Sequence, residues 1–327
     1  MDNNIVTTTR CLDYSPGKIS EALKRHFELS GGLARFIKPS DHVLLKPNFI
    51  APRSQRHATQ TNPTVIIETA RLLKDFGAKP FVADSPAWTN TFVCAKKLKL
   101  LEPLKKLGVP LKQLDSPKKC LIGQNRTKVG ISSLALDADA IINIPKFKTH
   151  QQLTATFAVK NMFGCVTGKK KAYWHFAKGG NYRDFCELII EIYRYLKPAI
   201  TIIDGVMAMD AQGPICGRTR PLGWLIAGTN PFQCEIVCAR LIRMAPDELP
   251  IIKTARRMGL LNAELEAPEI LGDSPSSAIC TDFQLPKLVP IRFSLLHVCK
   301  SIAKQFLLLM RSAMNSARPT RNKTTKR

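Results

Sequence analysis

A chain of 327 residues that is 45% hydrophobic and 23% charged carries apolar material for one large α/β domain or two smaller ones, which excludes disorder throughout. Its formal net charge of +24 points to anionic ligands or surfaces, and no apolar run reaches the roughly 20 uninterrupted residues of a spanning helix. Ten cysteines include no C-x-x-C pair, which excludes the usual zinc and redox-pair spacings. Their scatter, with no charged-then-apolar leader at Met1-Asp2-Asn3-Asn4, predicts a reducing cytoplasm.

In chain order, residues 19–27 predict a helix that ends at Gly31-Gly32, and 43–45 a short buried strand. A polar loop bracketed by Pro47 and Pro52 runs to Thr61-Asn62-Pro63. There Asn62 reads as an N-cap and Pro63 as the first helical residue. A helix over 65–76 stops at Gly77, and 81–83 form the next strand. Strand, helix and strand in this order make a βαβ unit and a parallel sheet. Strands follow over 139–144, 200–203 and 222–227, and helices over 182–196 and 231–244. A glycine-bearing loop fills 205–217. The alternation predicts a doubly wound α/β fold with a mostly parallel sheet and helices on both faces, spanning residues 1–290.

Residues 291–327 differ. They hold nine Lys plus Arg and no acid, leaving 40 basic against 25 acidic residues, or +15, in the body. Leu295, Val298, Ile302, Phe306, Leu309 and Ala313 recur at helical spacing, with Lys300, Lys304 and Arg311 on the opposite face. This amphipathic helix either docks on the body or lies on an anionic membrane surface. The basic stretch 318–327 predicts disorder.

Four apolar runs finish in charged or polar groups: Val43-Leu44-Leu45 into Lys46-Pro47-Asn48, Phe81-Val82-Ala83 into Asp84-Ser85-Pro86, Ile141-Ile142-Asn143-Ile144 into Pro145-Lys146-Phe147-Lys148-Thr149-His150, and Ile202-Ile203 into Asp204-Gly205. Open α/β sheets bind ligands at the carboxyl ends of their strands, so one shared polar site is expected. Lys46, Lys146, Lys148, His150 and Lys160 are its cationic candidates. Converging lysines repel unless an anion neutralises them, and that repulsion lowers a lysine's pKa toward proton-transfer use. The plain alternative is that they point apart and pair with surface acids. Asp84, Asp204, Asp210 and Glu235 are candidates to hold a divalent metal or orient a lysine, or to cap the next helix. Lys146, Lys148, His150, Asp84 and Asp204 are the expected catalytic set. Lys46, Asn48, Ser85, Thr149, Lys160, Asn161 and His175 are the expected substrate-binding set. The stretch from Gly164 to Lys171 is not a nucleotide-binding loop. Three residues, not four, separate Gly164 from Gly168, and Lys170 follows Lys169 where Ser or Thr is needed.

In order, Lys46-Pro47-Asn48, Thr61-Asn62-Pro63, Gly77-Ala78, Asp84-Ser85-Pro86, Asp139-Ala140-Ile141-Ile142-Asn143, Pro145 to His150, Lys160-Asn161, Gly164, Asp204-Gly205, Gly213-Pro214 and Gly217 resemble the domain-of-unknown-function family 362 over about 43–260. Members commonly carry a ferredoxin-type C-x-x-C-x-x-C-x-x-x-C run, which implies a redox role for them. This chain has none and resembles a short, cluster-free member. It departs from the pattern at Ala211, where glycine is expected, and at Glu235, where aspartate is expected. A remoter similarity to the nickel-dependent lactate racemase fold rests on a polar strand end followed by a proline-started helix.

The expected function is an enzyme with oxidoreductase-like or proton-transfer chemistry on a small anionic metabolite, with the cofactor open and a divalent metal as one candidate. The alternatives are a nucleic-acid-binding protein driven by charge, though with 7% aromatic residues and no recognised motif, and a peripheral membrane protein held by its C-terminal helix.

Overall fold

The computed structural model describes residues 5–86, 89–167 and 170–291. The expected C-terminal amphipathic helix and basic tail lie outside the described residues, as do Gly168 and Lys169. Strand β1 (Ile5–Arg10) leads into α1 (Pro16–Leu29), β2 (His42–Pro47), α2 (Pro63–Asp75) and β3 (Lys79–Asp84). Two short helices, α3 (Thr91–Lys97) and α4 (Leu101–Lys106), precede β4 (Leu111–Gln113) and the hairpin of β5 (Pro117–Ile122) and β6 (Thr127–Ser132). Next come α5 (Ser133–Leu136), β7 (Ala140–Ile144), β8 (Lys146–His150), β9 (Thr154–Thr156), α6 (Lys170–Ala177) and α7 (Tyr182–Leu196). The rest is β10 (Ile200–Asp210), β11 (Arg218–Gly228), α8 (Pro231–Leu241), α9 (Pro250–Arg257) and β12 (Glu269–Gly272).

One ten-stranded sheet runs β12-β1-β11-β10-β7-β2-β3-β4, with β8 attached to β10 and β9 to β8. Strands β10, β7, β2, β3 and β4 are parallel, and β11 runs antiparallel to both β10 and β1. The central strands are buried on both faces, which is why they read as continuous apolar runs. Alternate side chains feed two cores. Val43, Leu45, Ile142 and Ile144 pack with Ile19 and Leu23 of α1 and Val65 and Ile66 of α2. Leu44, Ile141 and Ile203 pack with Phe185 and Ile189 of α7 and Ile236 and Val237 of α8. Burial of each such side chain contributes about 1.5–3 kcal/mol, so both faces must be covered, and the sheet is doubly wound.

The helix starts fall where capping chemistry puts them. Asn62 accepts from the Thr64 amide at 2.9 Å, Asn181 from Asp184 at 2.8 Å, and Asn230 from Phe232 at 3.0 Å. Each cap is worth about 1 kcal/mol, and Pro63 and Pro231 occupy first-turn positions that need no donor.

Two expectations need correction. The segment after Pro145 is a strand, β8, parallel to β10 and antiparallel to β9. Proline ends the β7 ladder without ending extended backbone. The region 205–217 is mostly hairpin. Strand β10 continues to Asp210 and β11 begins at Arg218, leaving a turn of 211–217. In that turn Ala211 has φ +58°, a left-handed conformation that glycine adopts freely and alanine does not. This is the physical reason glycine is expected there.

Candidate functional site

Because β8 is a strand, its side chains alternate. Lys146, Lys148 and His150 share one face. Phe147 turns the other way, into the core, with its ring 4.4 Å from Phe157 and 5.9 Å from Phe283. The three polar residues line a cavity of about 40 Å³ together with Asn48, Ile50, Pro145, Thr156, Phe157, Lys160, Asn161 and Pro214. A water needs roughly 10–15 Å³ by the same measure, so the space fits about three waters or one carboxylate- or phosphate-sized group.

The lysines divide into two kinds. Lys46 and Lys146 are ion-paired and buried. Lys46 Nζ lies 2.6 Å from Asp84 Oδ1, and Asp84 also accepts from the amides of Phe49 at 2.7 Å and Ser85 at 2.8 Å. Gly164 backs this pair so closely that a Cβ there would sit 2.6 Å from Lys46 Nζ and 2.8 Å from Asp84 Oδ1. Lys146 Nζ lies 2.8 Å from both Asp204 Oδ2 and the Tyr14 hydroxyl, which in turn donates to Asp204 Oδ1 at 2.7 Å. The Asn62 amide completes Asp204 at 2.8 Å, and the Met207 amide donates to the Tyr14 oxygen at 3.0 Å. Burial lowers the Lys146 pKa, and Asp204 opposes that fall. Burial, with Asp204 beside it, holds the Tyr14 phenol protonated well above its usual range.

Lys148 and Lys160 have no carboxylate partner among the described residues. Lys148 Nζ donates to Asn48 Oδ1 at 2.5 Å and to the Thr59 carbonyl at 2.8 Å. Burial, with Lys160, Lys146 and Lys46 adding repulsion, pushes its pKa well below the usual lysine value. Lys160 is lowered to about 8, by burial and then by Lys46. His150 accepts from the Gln152 amide at its Nδ1, 3.1 Å away. Burial, Lys160, His175 and Lys148 push its pKa down. An amide can only donate, so the proton of this neutral ring sits on Nε2.

Three asparagines fix the polarity of the site. Asn143 Nδ2 donates to the Ala158 carbonyl at 2.9 Å, and Asn143 Oδ1 accepts from Asn161 Nδ2 at 2.8 Å. Asn161 Oδ1 accepts from Asn48 Nδ2 at 2.8 Å, leaving Asn48 Oδ1 to face Lys148. The direction of every bond follows from the one before it.

The other expected residues lie elsewhere or do other work. Thr149 turns away from the cavity and braces the 211–213 turn, donating to the Ala211 carbonyl at 2.8 Å and accepting from the Gly213 amide at 3.1 Å. Ser85 meets the site through its backbone, its carbonyl accepting from Lys171. His175 packs its ring against Phe163 and Phe185, and burial lowers its pKa to about 3. Asp210 holds Arg218 at 2.9 Å and Arg220 at 3.4 Å. Glu235 accepts from the amides of Ala158 and Val159, each at 3.0 Å, and burial raises its pKa to about 7.

The four acidic candidates therefore do not form one ligand set. Each is committed to different partners, and among the described residues no three His, Cys, Asp or Glu side chains converge as metal ligands. The sequence reading missed Tyr14, Thr59, Thr156, Phe157 and Lys171. Thr59 acts through its carbonyl, which any residue has.

A family model described as domain of unknown function (DUF362) matches residues 43–240. The chain is 34% identical over 306 residues to a thylakoid-associated protein of Synechocystis sp., covering 93% of this chain and 94% of that protein. It therefore belongs to the domain-of-unknown-function family 362. Among solved structures it is similar to the lactate racemase apoprotein of Thermoanaerobacterium thermosaccharolyticum, with TM-score 0.45 and 16% identity, over 72% of this chain and 57% of that one.

Proposed function

We propose that the protein is an enzyme that binds a small anionic metabolite in the β8 cavity and moves a proton on it. The observation that carries this reading is that Lys148 and Lys160 line one cavity without a carboxylate between them. Cations left unpaired where they are buried, as Lys148 is, or half-buried, as Lys160 is, are costly, and an anion of matching size removes that cost. Lys160 meets the charge of the ligand, with Lys148 beside it. The neutral His150 donates from Nε2 to a second oxygen. Lys148, whose pKa burial and then Lys160 push well below the usual lysine value, is the amine suited to serve as a general base.

The test is thermal unfolding of the whole chain with phosphate, sulfate and small mono- and dicarboxylates, beside Lys148→Met. A true ligand at a hundred times its Kd raises stability by about 2.7 kcal/mol, and the variant should lose most of that gain. No stabilisation by any anion would sink the proposal.

A second reading concerns location. We infer peripheral attachment to an anionic membrane, supported by the thylakoid association of the Synechocystis relative and by the basic amphipathic pattern of residues 295–313. Among the described residues no helix is long and apolar enough to cross a membrane. Co-sedimentation with vesicles containing anionic lipid should be lost when residues 292–327 are removed, and equal sedimentation of both chains would overturn this reading.

A further inference from the structure

We propose that Lys148 is a nucleophile, and that the metabolite is a small carbonyl compound carrying one anionic group, which Lys148 captures as an imine. This rests on the anion-binding reading of the β8 cavity and specifies its chemistry.

The argument starts from hydrogen-bond counting. A neutral amine has two hydrogens and one lone pair. Around Lys148 Nζ stand two oxygens that can only accept, Asn48 Oδ1 and the Thr59 carbonyl. The asparagine relay fixes Asn48 in that orientation, because its Nδ2 is already given to Asn161. Both amine hydrogens are thereby occupied, and the remaining tetrahedral position is the lone pair. Lys148 lines the cavity, and its Nζ makes no third hydrogen bond among the described residues. Three other buried lysines of the site are committed elsewhere, and of these Lys171 donates to the Ser85 carbonyl. Lys46 and Lys146 each donate to a carboxylate, at 2.6 and 2.8 Å, so both nitrogens are committed to ion pairs. Lysine nucleophiles arise in this kind of setting, desolvated beside a second cation. Lys160 is that cation here, and it opposes protonation of Lys148 more than any other charge does.

The surrounding groups fit the reaction. Lys160 holds the anionic group of the ligand. His150 Nε2–H has no partner among the described residues and donates to the carbonyl oxygen, where charge develops. The Lys148 lone pair attacks the carbonyl carbon. A C–N bond forms as the C=O π pair moves onto oxygen, which takes up a proton. Loss of water then breaks the C–O bond, carrying away the oxygen and, in net, both amine hydrogens. No oxidant or reductant is needed. Uptake of a proton from solvent by the imine nitrogen gives the iminium, which acidifies the neighbouring C–H, the proton-transfer chemistry proposed above.

The experiment uses the full chain with glyoxylate, the smallest carbonyl acid, and cyanoborohydride near neutral pH, followed by intact mass and peptide mapping. Phosphate is the competitor, and its own binding is measured separately by calorimetry. The expected result is one carboxymethyl adduct per chain at Lys148, reduced at least tenfold by saturating phosphate and absent from the denatured chain. Adducts spread over surface lysines with Lys148 unmodified, while phosphate still binds, would overturn the imine and leave the anion site standing. Failure of phosphate, glyoxylate and other small carboxylates to bind at all would remove the anion site itself. Lys148→Met, shown to be folded by cooperative unfolding, should lose the adduct, and an adduct of equal yield in that variant would also overturn the proposal.

Discussion

Tyr14→Phe removes one hydroxyl from the centre of the Lys146–Asp204 pair. That oxygen donates to Asp204 Oδ1 at 2.7 Å and accepts from Lys146 at 2.8 Å and from the Met207 amide at 3.0 Å. Asp204 Oδ2 keeps Lys146 and the Asn62 amide, so the ion pair survives. Two bonds to charged groups are lost, each worth about 1.5–3 kcal/mol net. Tyr14 is half-buried, so water recovers part of the loss, and a cost of about 2–4 kcal/mol is expected. That is a large share of the roughly 5–15 kcal/mol that holds a domain folded. Urea unfolding of wild type and variant measures it as a shift in midpoint at constant slope. A loss below about 0.5 kcal/mol at unchanged slope would refute the reasoning, because it would mean that the hydroxyl's bonds are worth no more than those water makes in its place.

Four further outcomes follow from the geometry. Gly164→Ala drives a methyl group into the Lys46–Asp84 pair and should cost about 1–3 kcal/mol as over-packing; chemical denaturation at the wild-type level would contradict this. Ala211→Gly relieves a left-handed alanine and should stabilise by up to about 1 kcal/mol in the same assay. Lys160 has a folded pKa near 8, below its ordinary 10.5, so its burial penalty is present below pH 8 and fades as pH rises through it. Anion affinity in calorimetry should therefore be flat below about pH 8 and fall above it, with proton uptake on binding in that range. The Glu235 carboxyl is raised from 4.5 to about 7. Its contribution to stability is fully present below its ordinary pKa and is lost as pH rises through about 7; Glu235→Gln should flatten that part of the stability profile, and an unchanged slope would exclude Glu235 as its source.

Much of the fold was legible because its signals are local. Asn62-Pro63 announces a helix start through chemistry confined to three residues, and the buried strands announce themselves as apolar runs. Strand β8 was not legible. Its buried face carries Lys146, Lys148 and His150, so hydrophobic periodicity does not mark it, and only pairing with β10 and β9 makes it a strand. The candidate site was half legible for the same reason. Lysines placed after apolar runs did converge, but which of them would be paired depends on partners distant in sequence. Tyr14 meets Asp204 across 190 positions and Lys46 meets Asp84 across 38. Thr149 was drawn into the expected site by its neighbours in sequence, yet alternation along the strand sends it to the opposite face.

The asparagine relay has a consequence for how this protein can change over evolutionary time. Asn143, Asn161 and Asn48 each use the donor half and the acceptor half of one amide. Aspartate at any of the three positions offers no donor, and leucine offers neither half. A single replacement would therefore strand its neighbour's oxygen or nitrogen, at about 1–3 kcal/mol for each buried group left unsatisfied. The three positions and Lys148 are bound to vary as one unit, or not at all, and a substitution at Asn143, well behind the cavity, is expected to be felt at the amine of Lys148.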